Sequence, residues 1–205
     1  MTGPLPRLLA VPIAVAAWAG LAVETVDSTR AWGAVAPALW ALLRYFTITT
    51  NLAVALLFTA LVLGLSPRAV PRTLAGVSLS ILLVGIVYRL LLEGVVAQGN
   101  ELGNLLLHRA TPIAVPLYWL ACVPKGMLRV IDPALWLLYP LVYLAYALGR
   151  GGLDGRYPYP FLDLARIGPE RVAINAAVIG AGFLVTGAFA VWIDRMLGRW
   201  SQTRT

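Results

Sequence analysis

The stretch that decides how this chain folds reads Arg44-Tyr45-Phe46-Thr47-Ile48-Thr49-Thr50-Asn51. It lies within an apolar run, residues 36–63, that is long enough to cross a membrane as a helix. On one helix Arg44, Thr47 and Asn51 would be spaced i, i+3 and i+7, so we expect them to share a face. Because polar groups are costly in hydrocarbon, that face should point into a helical bundle or a wet cavity.

The composition is typical of an integral membrane protein. Of the 205 residues, 60% are hydrophobic and 12% are charged, whereas soluble domains carry about 25% charged residues. The net charge of +7 is spread over short loops and tails, so it indicates membrane orientation and not a nucleic-acid-binding surface. No linker or repeat divides the chain, and we expect residues 1–205 to form one domain. With one cysteine, Cys122, and one histidine, His108, the chain lacks the usual ligands of a metal or haem site, and we expect no cofactor.

Six apolar runs predict an all-α fold, a polytopic bundle of six transmembrane helices. They comprise residues 8–26, 38–63, 74–97, 102–123, 133–148 and 172–197. Turn-forming stretches separate the runs, such as Ser66-Pro67-Arg68 after the second and Gly168-Pro169-Glu170 before the sixth. An even number of spans would place both termini on the same side of the membrane.

The basic residues favour a cytoplasmic location for both termini, because short cytoplasmic loops carry an excess of Lys and Arg. Eight fall on the side of the termini and five in the opposite loops. The eight are Arg7, Arg68, Arg72, Lys125, Arg129, Arg195, Arg199 and Arg204, and the five are Arg30, Arg150, Arg156, Arg166 and Arg171.

Polar residues inside the spans are predicted to converge at one depth, in the outer half of the bilayer. At about 1.5 Å per residue, they lie on the order of 10–15 Å from the outer ends of their helices. They are Arg44, Thr47, Arg89, Glu93, His108 and Arg109. Since ionisable groups inside a membrane are functional by default, the matched depths predict a buried polar site, with Arg44, Thr47, Arg89 and His108 facing one cavity.

Thr47 and His108 are the candidate reactive pair. A threonine hydroxyl is a weak nucleophile that needs a base, and His108 is the side chain whose ordinary pKa suits that role at neutral pH. Pro112 lies four residues after His108 and removes the N–H that would bond the His108 carbonyl, which predicts a bend there. Two alternatives stay open: Thr47 could bond the carbonyl four residues earlier in its helix, and His108 could bond a neighbouring hydroxyl.

Four further residues are candidates for binding a substrate. Arg89 or Arg44 could hold a carboxylate or a developing oxyanion. Arg89 and Glu93 could equally form only an i,i+4 ion pair. Asn51 could donate to an oxyanion, although a bridge between helices is the role that we favour.

Two features near the outer interface have simpler explanations. The segment Tyr157-Pro158-Tyr159-Pro160-Phe161 is extended by its prolines and rich in amphipathic rings. We favour an interfacial anchor for it over a lid that covers the polar pocket. Glu24, near the outer end of the first span, is interpreted as a residue of the interface.

Three stretches together resemble the androgen-induced / ADTRP family of integral membrane lipid hydrolases, and its prokaryotic members most closely. They are Arg44-Tyr45-Phe46-Thr47, His108 with the following Thr111-Pro112, and Tyr159-Pro160-Phe161-Leu162-Asp163 with Ile167-Gly168-Pro169. Their order and spacing carry the resemblance, which covers residues 40–205.

The resemblance implies a bacterial membrane hydrolase that cleaves fatty acid esters of hydroxy fatty acids with an intramembrane threonine and a histidine. Thr47 matches the family's threonine and His108 its histidine. The chain departs from the pattern in two places: Thr49 and Thr50 lie beside the candidate nucleophile, and Thr50 and Asn51 occupy the region in which animal members have an acidic residue.

We therefore expect a threonine-dependent hydrolase of lipid esters whose substrate enters sideways from the bilayer into an apolar groove. Thr47 would attack the ester, His108 would carry the proton, and Glu93 or Glu101 would orient the histidine. Two other hypotheses remain. A lipid-binding or transport protein would hold a head group at the polar cluster, whereas a purely structural bundle predicts that Thr47 and His108 do not meet.

Overall fold

The computed structural model describes residues 4–65, 70–95 and 100–202, and most of these residues are helical. Helix makes up 86% of the structure, and no strand occurs in the described ranges. The α-helices are α1 (Pro4–Trp32), α2 (Val35–Leu42), α3 (Phe46–Val62), α4 (Val70–Val87), α5 (Glu101–Leu105), α6 (Thr111–Cys122), α7 (Asp132–Asp154) and α8 (Leu164–Gln202). A π turn, Tyr88–Leu92, extends α4, a second, Leu106–Ala110, joins α5 to α6, and a 3-10 turn, Pro160–Leu162, precedes α8. The all-α class predicted from the sequence is confirmed.

Four helical segments among the described residues are long and apolar enough to cross a membrane, namely Pro4–Trp32, Val70–Leu92, Glu101–Cys122 and Leu164–Trp200. The pair α2 and α3 gives a fifth if it is one bent span. The predicted fifth span corresponds to α7, which has 23 residues but whose three tyrosines and two prolines lower its hydropathy. The structure thus supports a membrane protein of four to five candidate spans, and six are not confirmed.

The second predicted span is not one helix. The chain bends by 100° between α2 and α3, and Tyr45 there has an extended backbone, with φ −91° and ψ 132°. Side chains of α7 bond the carbonyls that the break releases: the Tyr143 hydroxyl donates to the Arg44 carbonyl at 2.7 Å, and Arg150 donates to the Trp40 carbonyl. Arg44 therefore lies in the turn and not on the helical face of Thr47, which corrects the shared-face expectation.

Tight helix packing brings the two π turns together. A β-carbon on Gly85 of α4 would lie 2.7 Å from the Pro112 side chain, so only glycine allows this approach between α4 and α6. The hydrophobic core beneath it includes Val54, Phe58 and Val115, each fully buried. This end of the bundle is where the site forms.

The last helix is broken where the sequence predicted that its span begins. Gly168 has φ 76° and ψ 162°, a backbone conformation that favours glycine, and Pro169 follows it. The segment before this break crosses the end of the bundle and carries Tyr159 into the interior. The predicted turn at Ser66-Pro67-Arg68 and the predicted end of the third span at residue 97 lie outside the described residues.

Candidate functional site

Thr47 and His108 meet in the wall of a cavity. Thr47 is the second residue of α3, and His108 is the central residue of the second π turn. The Thr47 Oγ1 and His108 Nε2 atoms are 3.3 Å apart, just beyond the usual reach of a nucleophile and its base, which is often looser in unliganded sites. The expectation of the purely structural hypothesis, that the two side chains do not meet, is wrong.

Each π turn presents one ring to this contact. Tyr88 in the first turn stacks on His108 in the second, with ring centroids 4.2 Å apart and an interplanar angle of 27°. The Asn104 amide donates to the Tyr88 hydroxyl at 2.6 Å. A π turn inserts a residue into a helix and re-aims the side chains that follow, and such turns recur at functional sites. The bend predicted from Pro112 takes this form, ending at Ala110 two residues before the proline.

The imidazole stacks on Tyr88 and contacts Thr47, and no carboxylate of the described residues orients it. His108 Nδ1 is buried and bonds no carboxylate among the described residues. Glu93, one of the predicted orienting groups, is bound by Arg89 and by Arg109, the latter at 2.6 Å. Glu101, the other, is exposed and does not line the cavity. The site is therefore a dyad without a third acidic member.

Tyr159 is a member of the site that the sequence interpretation missed. Its ring is buried between Phe161, stacked at 5.1 Å, and Tyr45, edge-on at 6.0 Å. Its hydroxyl accepts a hydrogen bond from the Thr47 backbone N–H at 3.4 Å. N–H groups in the first turn of a helix have no helical acceptor, so this hydroxyl occupies a place where an anionic oxygen would be stabilised.

The segment that contains Tyr159 covers the cavity. Tyr157, Pro158 and Tyr159 all line its wall, as the lid alternative requires, whereas the interfacial anchor that we favoured stays a prediction. The signal was present in the sequence, because the same Tyr-Pro-Phe stretch contributes to the family resemblance. Aromatic rings flanked by prolines are equally common as interfacial anchors, and composition alone does not separate the two.

Two cavities meet at Thr47. The larger has a volume of about 520 Å³ and contains ionisable groups, whereas the smaller, about 90 Å³, is apolar apart from Thr47 and tyrosines. They share Thr47, Leu92 and Tyr159 as lining residues. The smaller cavity is walled by α4, α7 and α8, and it shares Leu83 and Phe183 with an apolar groove of about 350 Å³ between α4 and α8.

Arg44 lines the larger cavity, but its guanidinium is already engaged. It donates to Asp154 Oδ1 at 2.9 Å and to the Arg156 carbonyl. The same ion pair holds the pKa of the Asp154 carboxyl well below its usual range. Arg44 therefore ties the α2–α3 turn to the end of α7, and a substrate would have to compete with Asp154 for it.

Asn51 links α3, which carries Thr47, to the π turn that carries His108, and it does not line the cavity. Its amide donates to the Thr47 carbonyl at 2.9 Å and to the Leu107 carbonyl at 3.2 Å, and its oxygen accepts from Thr111 at 2.7 Å. The side chain is 0% exposed. Its substrate-binding assignment is wrong, and the favoured helix bridge is confirmed, because these bonds already occupy its polar atoms.

Arg89 and Glu93 lie outside the cavity. The Arg89 side chain is 75% exposed and pairs with Glu93, as the i,i+4 alternative predicted. Successive helical residues point about 100° apart, so Tyr88 takes the inward position and Arg89 the outward one. The expectation that Arg89 faces the same cavity as Thr47 is wrong: matched depth along a helix does not specify the face.

The neighbouring threonines are engaged elsewhere. The hydroxyls of Thr49 and Thr50 each lie 3.0 Å from the Tyr139 hydroxyl. Thr50 lines a different cavity, on the far side of α3. Of the three adjacent threonines, Thr47 is the one that reaches the histidine.

Comparison of the chain with protein-family models, with curated proteins and with solved structures gave no match. The family resemblance therefore stays a prediction that rests on the residues quoted for it.

Proposed function

We propose that this protein hydrolyses ester bonds of membrane lipids, with Thr47 as the nucleophile and His108 as the general base. The observation that carries the proposal is the 3.3 Å contact between Thr47 Oγ1 and His108 Nε2 at the junction of a polar and an apolar cavity. A lipid ester has the same division, with an acyl chain on one side of the bond and a more polar alcohol on the other.

In the first half of the reaction Thr47 forms an acyl-enzyme. As the Thr47 oxygen attacks the ester carbonyl, its proton passes to His108 Nε2. The tetrahedral intermediate then collapses, the bond between the carbonyl carbon and the alcohol oxygen breaks, and His108 returns the proton to the departing alcohol. The fatty acyl group remains on Thr47.

In the second half water releases the acyl group. His108 accepts a proton from a water molecule that enters through the larger cavity, and the resulting hydroxide attacks the acyl carbonyl. The bond to Thr47 breaks, the proton returns to the threonine oxygen, and a fatty acid leaves. One water is consumed, and no metal or cofactor takes part in either half.

Tyr159 and the start of α3 supply the stabilisation of the oxyanion. The Tyr159 hydroxyl lies 3.4 Å from the Thr47 nitrogen, so it is next to the carbonyl carbon of any acyl group carried by Thr47. Rotation of the hydroxyl would let it donate to the developing negative oxygen, while the positive end of the α3 dipole adds to the effect. These groups replace Asn51 and Arg89 in the predicted set.

The acyl chain enters from the bilayer through the apolar groove between α4 and α8. Leu83, Val87, Ile179 and Phe183 line both this groove and the apolar cavity that ends at Thr47. A chain on this route stays among apolar side chains, and the fatty acid product leaves the same way.

The proposal extends to topology: the chain crosses the membrane of a bacterial cell six times, α7 is one of the six spans, and both termini lie in the cytoplasm. The basic bias supports this orientation, and the family resemblance supports the bacterial membrane. In a Cys122→Ser background, cysteines placed at Arg129 and Gly152 mark the two ends of α7. An impermeant thiol reagent applied to intact cells should label position 152 alone, and labelling of both positions would rule out α7 as a span.

A lipid-binding or transport protein is the second candidate, since the dyad lacks an orienting carboxylate and the two cavities together could hold a lipid without cleaving it. Covalent chemistry at Thr47 separates the two functions. A fluorophosphonate probe should label the purified protein at Thr47, with loss of fluoride, and label Thr49→Ala equally well. If the wild type resists the probe and cleaves no lipid ester, the hydrolase proposal fails and the binding function takes its place.

A further inference from the structure

Glu24 lines the larger cavity together with Thr47 and His108. Along α1, Gly20 packs against Leu107, and Glu24, one turn further, packs against Gly103. Glu24 therefore lies about one helical turn from the level of Leu107, toward the cavity mouth. A β-carbon on Gly103 would come within 2.3 Å of Glu24 Oε1, so the glycine makes room for the carboxyl group.

The charge of Glu24 is not compensated within the described part of the chain, where it makes no hydrogen bond or ion pair. Asp27, the other acid of the cavity, bonds Arg30 at 3.2 Å, and Arg44 is held by Asp154. Arg156 lies over the Trp32 ring, 5.4 Å from its centroid, and Trp32 is about 12 Å along α1 from Glu24. Of the acidic side chains that line this cavity, Glu24 is thus the one that can accept hydrogen bonds and has no partner among the described residues.

We propose that Glu24 selects the alcohol half of the substrate, which carries hydroxyl groups and no negative charge, as in a monoacylglycerol. A carboxylate accepts hydrogen bonds from two hydroxyls at once. Its repulsion of a carboxylate or phosphate on the ligand, within about 10 Å, should weaken the binding of that ligand roughly tenfold. The inference rests on the proposed function of the same site. It departs from the ester that the family resemblance implies, whose alcohol half bears a free carboxylate.

Hydrolysis of two esters with the same acyl chain tests this selectivity. The wild type should show a kcat/KM for a monoacylglycerol at least about tenfold above that for a fatty acid ester of a hydroxy fatty acid. Glu24→Gln should raise kcat/KM for the ester with a free carboxylate by about tenfold, so that the two kcat/KM values become similar. Glu101→Gln removes a charge two residues from Gly103 but outside the cavity, and it should leave both values unchanged.

Ligand binding to Thr47→Ala protein separates selectivity from catalysis. A long-chain 1-O-alkylglycerol should raise its unfolding temperature, whereas a fatty acid of equal length should do so only in the Glu24→Gln background. Glu24→Asp, which keeps the charge, should bind the alkylglycerol in preference to the fatty acid, as the wild type does. This variant provides the test if Glu24→Gln folds poorly. Selective binding without any ester cleavage would leave this inference standing and defeat the hydrolase proposal. Equal binding of the two ligands, no binding of either, or an unchanged ratio in Glu24→Gln would overturn the inference even if esters are cleaved.

Discussion

The two π turns carry two pairs of neighbouring residues that point in opposite directions. Tyr88 and His108 stack on each other beside the cavity, whereas Arg89 and Arg109, the next residue in each turn, meet on Glu93 at the outside. Tyr88 and the neutral form of His108 carry no formal charge, whereas Arg89 and Arg109 carry one positive charge each. The comparison teaches that the two rings line the cavity, whereas the most conspicuous charges of this region form an exposed ion cluster.

The largest expected effect comes from the inner pair. His108→Ala should lower kcat for ester hydrolysis by roughly 10⁴-fold or more, because no other histidine is present to act as the base. Arg109→Ala, one residue away, should retain most of the activity. Since a nucleophile and its base act as a unit, Thr47→Ala combined with His108→Ala should be hardly worse than either single change. Turnover by His108→Ala near the wild-type rate would refute the dyad.

Tyr159 should come next. Tyr159→Phe removes the hydroxyl beside the Thr47 nitrogen and should reduce kcat by on the order of 10²-fold with little change in KM, the usual effect of losing one oxyanion donor. Tyr157→Phe is the matched control, because Tyr157 lines the same cavity, whereas the hydroxyl bonded to the Thr47 nitrogen is that of Tyr159; this change should alter kcat only slightly. A rise in KM with kcat unchanged, or equal effects of the two changes, would show that Tyr159 acts only as a cover.

The sequence predicted which two residues meet at the site, but not which way the neighbouring side chains point. The pairing of Thr47 with His108 followed from their residue types and from the scarcity of other bases. The inward position of Tyr88 and the outward position of Arg89 depend on where a π turn begins, and neighbouring helices decide that. The 100° bend after α2 likewise has no glycine or proline to announce it; Tyr143 and Arg150, about a hundred residues away, stabilise it.

Asn51 tests how firmly the inner pair is positioned. Asn51→Leu leaves the Leu107 carbonyl and the Thr111 hydroxyl without its side chain, which should lower the free energy of unfolding by about 1–3 kcal/mol and reduce kcat. The Thr111 hydroxyl keeps the Leu106 carbonyl as an acceptor at 3.2 Å, so adding Thr111→Val should lower the stability further. Chemical or thermal unfolding in detergent measures both changes. Full activity and stability in Asn51→Leu would mean that the bridge does not position Thr47 and His108.

The ion pair of Arg44 with Asp154 should give a smaller effect that depends on pH. The pKa of Asp154 is lowered in the folded protein, so its contribution to stability is present above the ordinary aspartate pKa of about 3.9 and disappears as the pH falls through the lower folded value. Asp154→Asn should therefore reduce the unfolding temperature at neutral pH, and the difference from the wild type should shrink in strongly acidic buffer. A difference that stays constant with pH would assign the loss to packing.

The smallest expected effect belongs to the outer pair, and it is the sharpest test of the comparison. Arg89→Leu removes a charge from a largely exposed ion pair, and such pairs contribute little. We expect kcat/KM to stay within about twofold of the wild type. Glu93 keeps its bond to Arg109 at 2.6 Å, so the end of α4 remains linked to the second π turn.

The double variant Arg89→Leu, Arg109→Leu removes both partners of Glu93 and tests whether this outer ion cluster stabilises the stacked rings of Tyr88 and His108. If the double variant keeps its unfolding temperature but loses hydrolysis, the outer charges act on the substrate and the division between the two pairs is wrong.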